Sequence, residues 1–270
     1  MMEQLIETSL GRLSVRSNGD GPVVVVWHSL FVDARSMEAA VGQLADTRRV
    51  VQIEGPGHGA SEATRRLFDL DDCADAAVEV LETLGIDEPV DWVGNAWGGH
   101  VGLVFAVRHA DRCRSVVTFG APVQALTSAE RRRTILLVAA YLVLGPASFI
   151  RSGVADVLLS ERSRRENPAA VDLVSDCLRN AGRRSLANVI RSISLRRPDL
   201  DALLPQVTAP TLMVTGAEHS GWTPAQVDAA VSRLPVGRSA VVADAAYLIP
   251  LERPDRATAL ILDLWAEVAR

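Results

Sequence analysis

Few side chains in this sequence can move a proton or steady a developing charge. Its 270 residues include five His and 28 Arg but no Lys. His219 belongs to the one residue type that ordinarily titrates near neutrality, and the phenol of Tyr247 can donate to a carbonyl or enolate oxygen. Gly94-Asn95-Ala96-Trp97-Gly98-Gly99 falls between an apolar strand pattern and a helical one. The N–H of Trp97 would then project from a helix N-terminus, where it can hold an oxyanion. No spacing of Cys and His suits a metal, and Gly94-x-x-x-Gly98 leads to no Lys that would complete a phosphate-binding loop. Neither a metal nor a cofactor is expected.

Such residues need rigid elements behind them. Short β-branched runs alternate with helical patterns, which predicts an α/β fold with a mostly parallel sheet flanked by helices. Eight strands are predicted: Leu5–Ser9, Leu13–Arg16, Val23–Trp27, Arg49–Ile53, Val90–Val93, Ser115–Phe119, Thr211–Thr215 and Ser239–Val242. Helices are predicted over Ser36–Leu44, from an Asp69 cap through Leu84 to a Gly85 stop, and over Trp97–His109, Pro224–Leu234 and Asp255–Ala269. Between Val123 and Val207 the pattern is helix after helix, rich in Arg, Leu and Ser. The expected organisation is a core made of residues 1–122 and 208–270, with a helical cap, 123–207, inserted after the sixth strand. The cap would cover the sheet's C-terminal edge, where open α/β sheets bind ligands.

Composition narrows the partners. A net charge of −5 argues against nucleic acid, although Arg131-Arg132-Arg133 is a local basic cluster. The most apolar run, Ile135 to Leu144, is half of what spans a bilayer, so no membrane partner is expected. It is read as a helix that roofs a pocket for a largely apolar ligand, or simply packs within the cap. Cys73, Cys113 and Cys177 are odd in number and far apart, which fits a reducing cytoplasm. Met1-Met2-Glu3-Gln4 shows no secretory pattern. Monomer and homodimer both stay open.

Four motifs in order resemble the α/β-hydrolase superfamily, and the resemblance covers essentially the whole chain. His28-Ser29-Leu30 matches the loop that supplies one oxyanion-hole N–H, that of Leu30. Glu54-Gly55-Pro56-Gly57-His58-Gly59-Ala60-Ser61 is similar to the D-x-P-G-x-G-x-S turn. Gly94 to Gly99 looks like the nucleophile elbow, G-x-S-x-G. Asp244-Ala245-Ala246-Tyr247-Leu248-Ile249-Pro250-Leu251-Glu252-Arg253-Pro254 resembles the stretch around the catalytic His. The spelling of the elbow is nearest to carbon–carbon bond hydrolases, and His28-Ser29-Leu30 is similar to enol-lactonases.

The departures fall on the residues that such enzymes use. The resemblance puts Ala96 at the nucleophile position, His219 at the acid position and Tyr247 at the base position. A triad works as a unit, and its complete loss leaves about 10³-fold over water. A Ser→Ala exchange made to trap substrate would explain Ala96 alone. If the backbone is kept, His219 and Tyr247 should meet over the pocket floor. The pocket itself is expected from His28, Ser29, Asn95, Ala96 and Trp222, with the Leu30 and Trp97 N–H groups as the oxyanion hole. His28 and His58 also have plain structural readings as braces of their loops, and Ser29 and Ser220 are weaker stand-in nucleophiles. Three functions stay open for a small apolar carbonyl compound: non-covalent acid/base or oxyanion chemistry of lyase, isomerase, cyclase or decarboxylase type, binding without turnover, and hydrolysis by water or another residue.

Overall fold

Val23-Val24-Val25-Val26-Trp27 offers no polar residue to either side, so it can persist only where both faces are covered. The computed structural model, which describes residues 2–268, places it at the centre of an eight-stranded sheet. The strands are β1 (Met2–Thr8), β2 (Gly11–Asn18), β3 (Val23–Trp27), β4 (Arg49–Ile53), β5 (Val90–Asn95), β6 (Cys113–Phe119), β7 (Thr211–Gly216) and β8 (Gly237–Val242). Their order is β1-β2-β4-β3-β5-β6-β7-β8. β2 runs antiparallel to β1 and β4, and the remaining pairings are parallel.

Alternation along β3 feeds two cores. Val23, Val25 and Trp27 join one cluster with Cys73, Ala74, Val101 and Phe105, from α2 (Leu70–Thr83) and α3 (Trp97–Arg108). Val24 and Val26 join the other, with Met37 and Ala40 of α1 (Arg35–Val41). Helix α2 starts where its chemistry says it should. Asp69 caps it, Asp72 completes a reciprocal capping box, and Gly85 follows at φ +65°.

Between β6 and β7 lie α4 (Ser128–Leu144), α5 (Ser148–Leu158), α6 (Glu161–Glu166), α7 (Pro168–Asn180) and α8 (Arg183–Val189), with a π-helical turn, Ile190–Leu195, and a 3₁₀ turn, Asp201–Gln206. They touch the loops that follow β3, β4 and β8. Cys177 Sγ lies 3.3 Å from Asp33, Asn188 donates to the Thr64 and Arg66 carbonyls, and the Tyr247 N–H donates to Leu158 O. After β7 come α9 (Pro224–Val231), α10 (Ile249–Glu252) and α11 (Pro254–Val268).

One expectation changes here. Ile135–Leu144 lies within α4, yet Ile135, Leu136, Val143 and Leu144 face solvent, and only Val138 and Tyr141 of the run are buried. The run is apolar around the whole helix. Its neighbours, α8, the π-helical turn and the end of α7, cover only the Val138 and Tyr141 side of the run.

Candidate functional site

The turn between β5 and α3 is built around Ala96, whose φ of 46° and ψ of −103° are costly for a residue with a Cβ, on the order of 1–3 kcal/mol. Neighbouring bonds hold it there. The Ala96 N–H donates to Phe119 O at 2.7 Å, and the Gly98 N–H to His28 O at 3.1 Å. Small residues let α3 lie against the sheet. A Cβ on Gly94 would strike the Gly98 backbone, and one on Gly98 would strike the Trp27 carbonyl. What this strained turn presents is a methyl group, almost fully buried.

Asn95 beside it is a tie rod. Its Nδ2 donates to Phe119 O and to Tyr247 O, each at 2.8 Å, joining the turn to the loop after β8. Asn95→Ala should therefore cost about 2–3 kcal/mol in urea unfolding, because the Tyr247 carbonyl loses its donor in a buried setting.

His219 and Tyr247 do meet, from the loops after β7 and β8. Their ring centroids are 3.5 Å apart with the planes at 32°. The rings touch at a tilt, and among the described residues no hydrogen bond joins them. The Gly221 N–H donates to His219 Nδ1 at 3.1 Å, which places the ring proton on Nε2, a buried atom with no partner. Burial lowers His219 to about 4 and raises Tyr247 to about 12. The near-neutral titration expected of His219 is thus corrected: desolvation disfavours the imidazolium, so both rings are neutral around pH 7. Tyr247 is fixed from behind by Glu252, whose carboxylate accepts from the Ala246 and Ser160 N–H groups at 2.8 and 2.7 Å.

Two residues that sequence reasoning passed over converge on this pair. Glu130 Oε1 and the Tyr247 hydroxyl lie 3.9 and 3.2 Å from the point a Gly221 side chain would occupy. Glu130 is held ionised, below the usual carboxylate range, by bonds from Thr127. Arg197 donates to the Val123 and Gln124 carbonyls, and burial lowers it to about 10. Thr127-Ser128-Ala129-Glu130 does read as a capping box, but that signal speaks only of a helix start.

The remaining predicted residues fall as follows. His28 donates from Nδ1 to Ser29 O at 2.7 Å and accepts the Gly55 N–H on Nε2 at 3.0 Å, so both nitrogens brace the backbone. His58 contacts Leu30 O at 2.5 Å and steadies the same loop. The Trp97 indole points into the core, edge-on to Trp27 at 5.4 Å and beside His28 and His58. Trp222 and Ser29 are buried, whereas Ser220 is exposed. The backbone N–H groups of Leu30 and Trp97 donate to no acceptor among the described residues.

Residues 22–140 match the family model described as alpha/beta hydrolase fold. The 2-hydroxymuconate semialdehyde hydrolase of Pseudomonas sp. (strain CF600) is 35% identical over 104 residues, which are 38% of this chain and 34% of that enzyme. Haloalkane dehalogenase 2 of Mycobacterium tuberculosis (strain ATCC 25618 / H37Rv) is 26% identical over 277 residues, covering 95% of this chain and 92% of that one. A thermophilic esterase from Thermogutta terrifontis superposes with a TM-score of 0.90 at 23% identity, covering 99% of both chains. At that identity the likeness speaks for the fold alone.

Proposed function

From the premise that this chain belongs to the α/β-hydrolase superfamily, we propose that it binds a small, mostly apolar carbonyl compound and stabilises its oxyanion or enolate without acylating the protein. One observation carries the reading: the strained turn that should present an attacking oxygen presents the Ala96 methyl, and the N–H groups of Leu30 and Trp97 are unengaged among the described residues. A methyl has no lone pair, so covalent catalysis has no starting point there. The N–H groups of Leu30 and Trp97 would receive the carbonyl oxygen as charge develops, with the α3 N-terminus adding its positive end.

His219 and Tyr247 serve this chemistry as neutral hydrogen-bond donors. Nδ1 of His219 is already occupied, so Nε2–H is what the ring can offer a ligand. A neutral imidazole donor keeps its proton and polarises a carbonyl without becoming an acid catalyst. Glu130 is the ionised carboxylate on their side and would take the proton if the substrate is enolised. Lyase, isomerase, cyclase or decarboxylase reactions all fit this set.

A second reading, ligand binding without turnover, is favoured by the tilted ring contact of His219 with Tyr247 in place of a hydrogen bond. Hydrolysis by a bound water is the third, and its support is the names of the curated relatives.

Carbonyl compounds screened by calorimetry and then assayed for conversion separate the first two. For a converted compound, Tyr247→Phe should lower kcat by about 10²-fold or more. Its pH profile has a definite shape. A His whose folded pKa is about 4 and a Tyr at about 12 leave both rings neutral between these values, so the rate is flat from pH 5 to 10. It falls in acid as His219 becomes charged near pH 4 and Glu130 takes up a proton below the usual carboxylate range, and in alkali as Tyr247 ionises near 12. A bell centred near pH 7, or a Tyr247→Phe variant as fast as the parent, removes the pair from the reaction.

A further inference from the structure

The apolar run of α4 is left unexplained by the site below it. Among the described residues the large exposed apolar side chains concentrate in one short region: Ile135, Leu136, Val143 and Leu144 of α4, then Phe149 and Val157 of α5. Leu136 and Val143 are 68% and 75% exposed. They share one face of α4 with Arg132, four residues before Leu136, and Ala139 lies between them. Large apolar side chains gathered in solvent in this way mark a surface that meets something.

Charge says what it meets. Residues 123–207 hold 13 Arg and 8 Asp or Glu, a net of +5, while the rest of the chain holds 15 Arg and 25 acids, a net of −10. Much of the basic excess borders the stripe. Arg132 and Arg133 stand exposed at its beginning, and Arg183 reaches its far end, donating to Val143 O. No ion pair engages Arg131, Arg132, Arg133, Arg183 or Arg184 among the described residues. By contrast, Asp156 on α5 is already paired with Arg164. The region is therefore apolar in the middle and cationic at both ends, with Glu130 of the first turn of α4 acting on Arg133 but forming no ion pair with it.

We infer that the outer face of α4 and α5 docks on an anionic lipid surface, with the apolar stripe entering the headgroup boundary and the arginines on the lipid charge. Exposed apolar side chains flanked by Arg partition this way, into the headgroup boundary without spanning the bilayer. No helix among the described residues is long and apolar enough to cross a membrane. The sequence expects no membrane partner, on the ground that the apolar run is too short to span, and lying on a surface needs no span. A second copy of the chain is disfavoured as occupant, because a symmetric contact sets the same +5 region against itself. Nucleic acid would leave the apolar stripe in water.

The full chain is tested by co-sedimentation with vesicles of phosphatidylcholine and phosphatidylglycerol, against phosphatidylcholine alone. Binding to the mixed vesicles is expected, with salt weakening it. Arg132→Gln/Arg133→Gln should weaken it roughly 30-fold. Leu136→Ser/Val143→Ser/Phe149→Ser should weaken it at least about tenfold through lost apolar insertion. All five side chains are exposed, so the thermal unfolding midpoint should stay put, and its constancy shows that the fold is intact. The inference is overturned if the parent ignores the mixed vesicles, or if either variant binds as the parent does. It is equally overturned if ultracentrifugation finds a dimer that the serine variant splits while vesicles stay bare, or if duplex DNA binds more tightly than the vesicles.

Discussion

Ala96→Ser, His219→Asp and Tyr247→His, introduced together, should turn this protein into an esterase, at least about 10³-fold faster on p-nitrophenyl acetate than Ala96→Ser alone. The expectation rests on backbone that is already in place. The turn holds φ 46° at position 96, a geometry that few side-chain-bearing residues adopt, and Ala96 and Asp244 are the non-glycine residues with positive φ among those described. The loops after β7 and β8 bring side chains 219 and 247 into ring contact, so an acid and an imidazole there would fall within hydrogen-bonding reach. The Leu30 and Trp97 N–H groups, proposed as the oxyanion hole, donate to no acceptor among the described residues. The serine alone should stay near background, since a hydroxyl with no base to take its proton is a weak nucleophile. Mass spectrometry after rapid quenching would find an acetyl group on the introduced serine of the triple variant only. If the triple variant is no faster than the single one, the loops do not present a triad, and the reading of positions 219 and 247 fails with it.

Gly98→Ala should be the most damaging single methyl in the chain. Its Cβ would lie far inside contact distance of the Trp27 carbonyl, a backbone atom of the central strand β3, and near the Trp27 side chain as well. Neither is the end of a flexible side chain, so α3 must move off the sheet. That motion would break the bonds of Gly98 N–H to His28 O and of Trp92 Nε1–H to Gly98 O. A loss above about 4 kcal/mol is expected, or no soluble protein at all. The control is Gly153→Ala in α5, where an added Cβ meets nothing within 4 Å. There the change should stabilise by roughly 0.5–1 kcal/mol through helix propensity. Urea titration of both variants decides the matter, and a Gly98→Ala protein within 1 kcal/mol of the parent would contradict the close packing of turn and sheet.

Most of the fold was legible because its signals are local. Val23–Trp27 and Arg49–Ile53 match their predicted ends, because short β-branched runs bounded by turn residues carry a strong local strand signal. β1 was read from Leu5 onwards although it starts at Met2, because the Glu3 and Gln4 that begin it carry no apolar signal. The α2 cap could be read from Asp69 alone, and its partner Asp72 emerged only from the reciprocal bonds. For α4 the composition was right and the placement wrong: ten apolar residues announce a helix that avoids water, but not which side of it the neighbours cover.

What the sequence determined by itself was the order of elements, the tight glycine turn at 94–99 and the methyl it displays, because each depends on residues within a few positions of one another. The tertiary structure alone decided which protons the site can offer. His219 loses its affinity for a second proton only when water is removed around it, and Glu130, Arg197 and Tyr247 come together from segments fifty or more residues apart. Desolvation and long-range convergence are properties of the packed chain, and no window of sequence contains them.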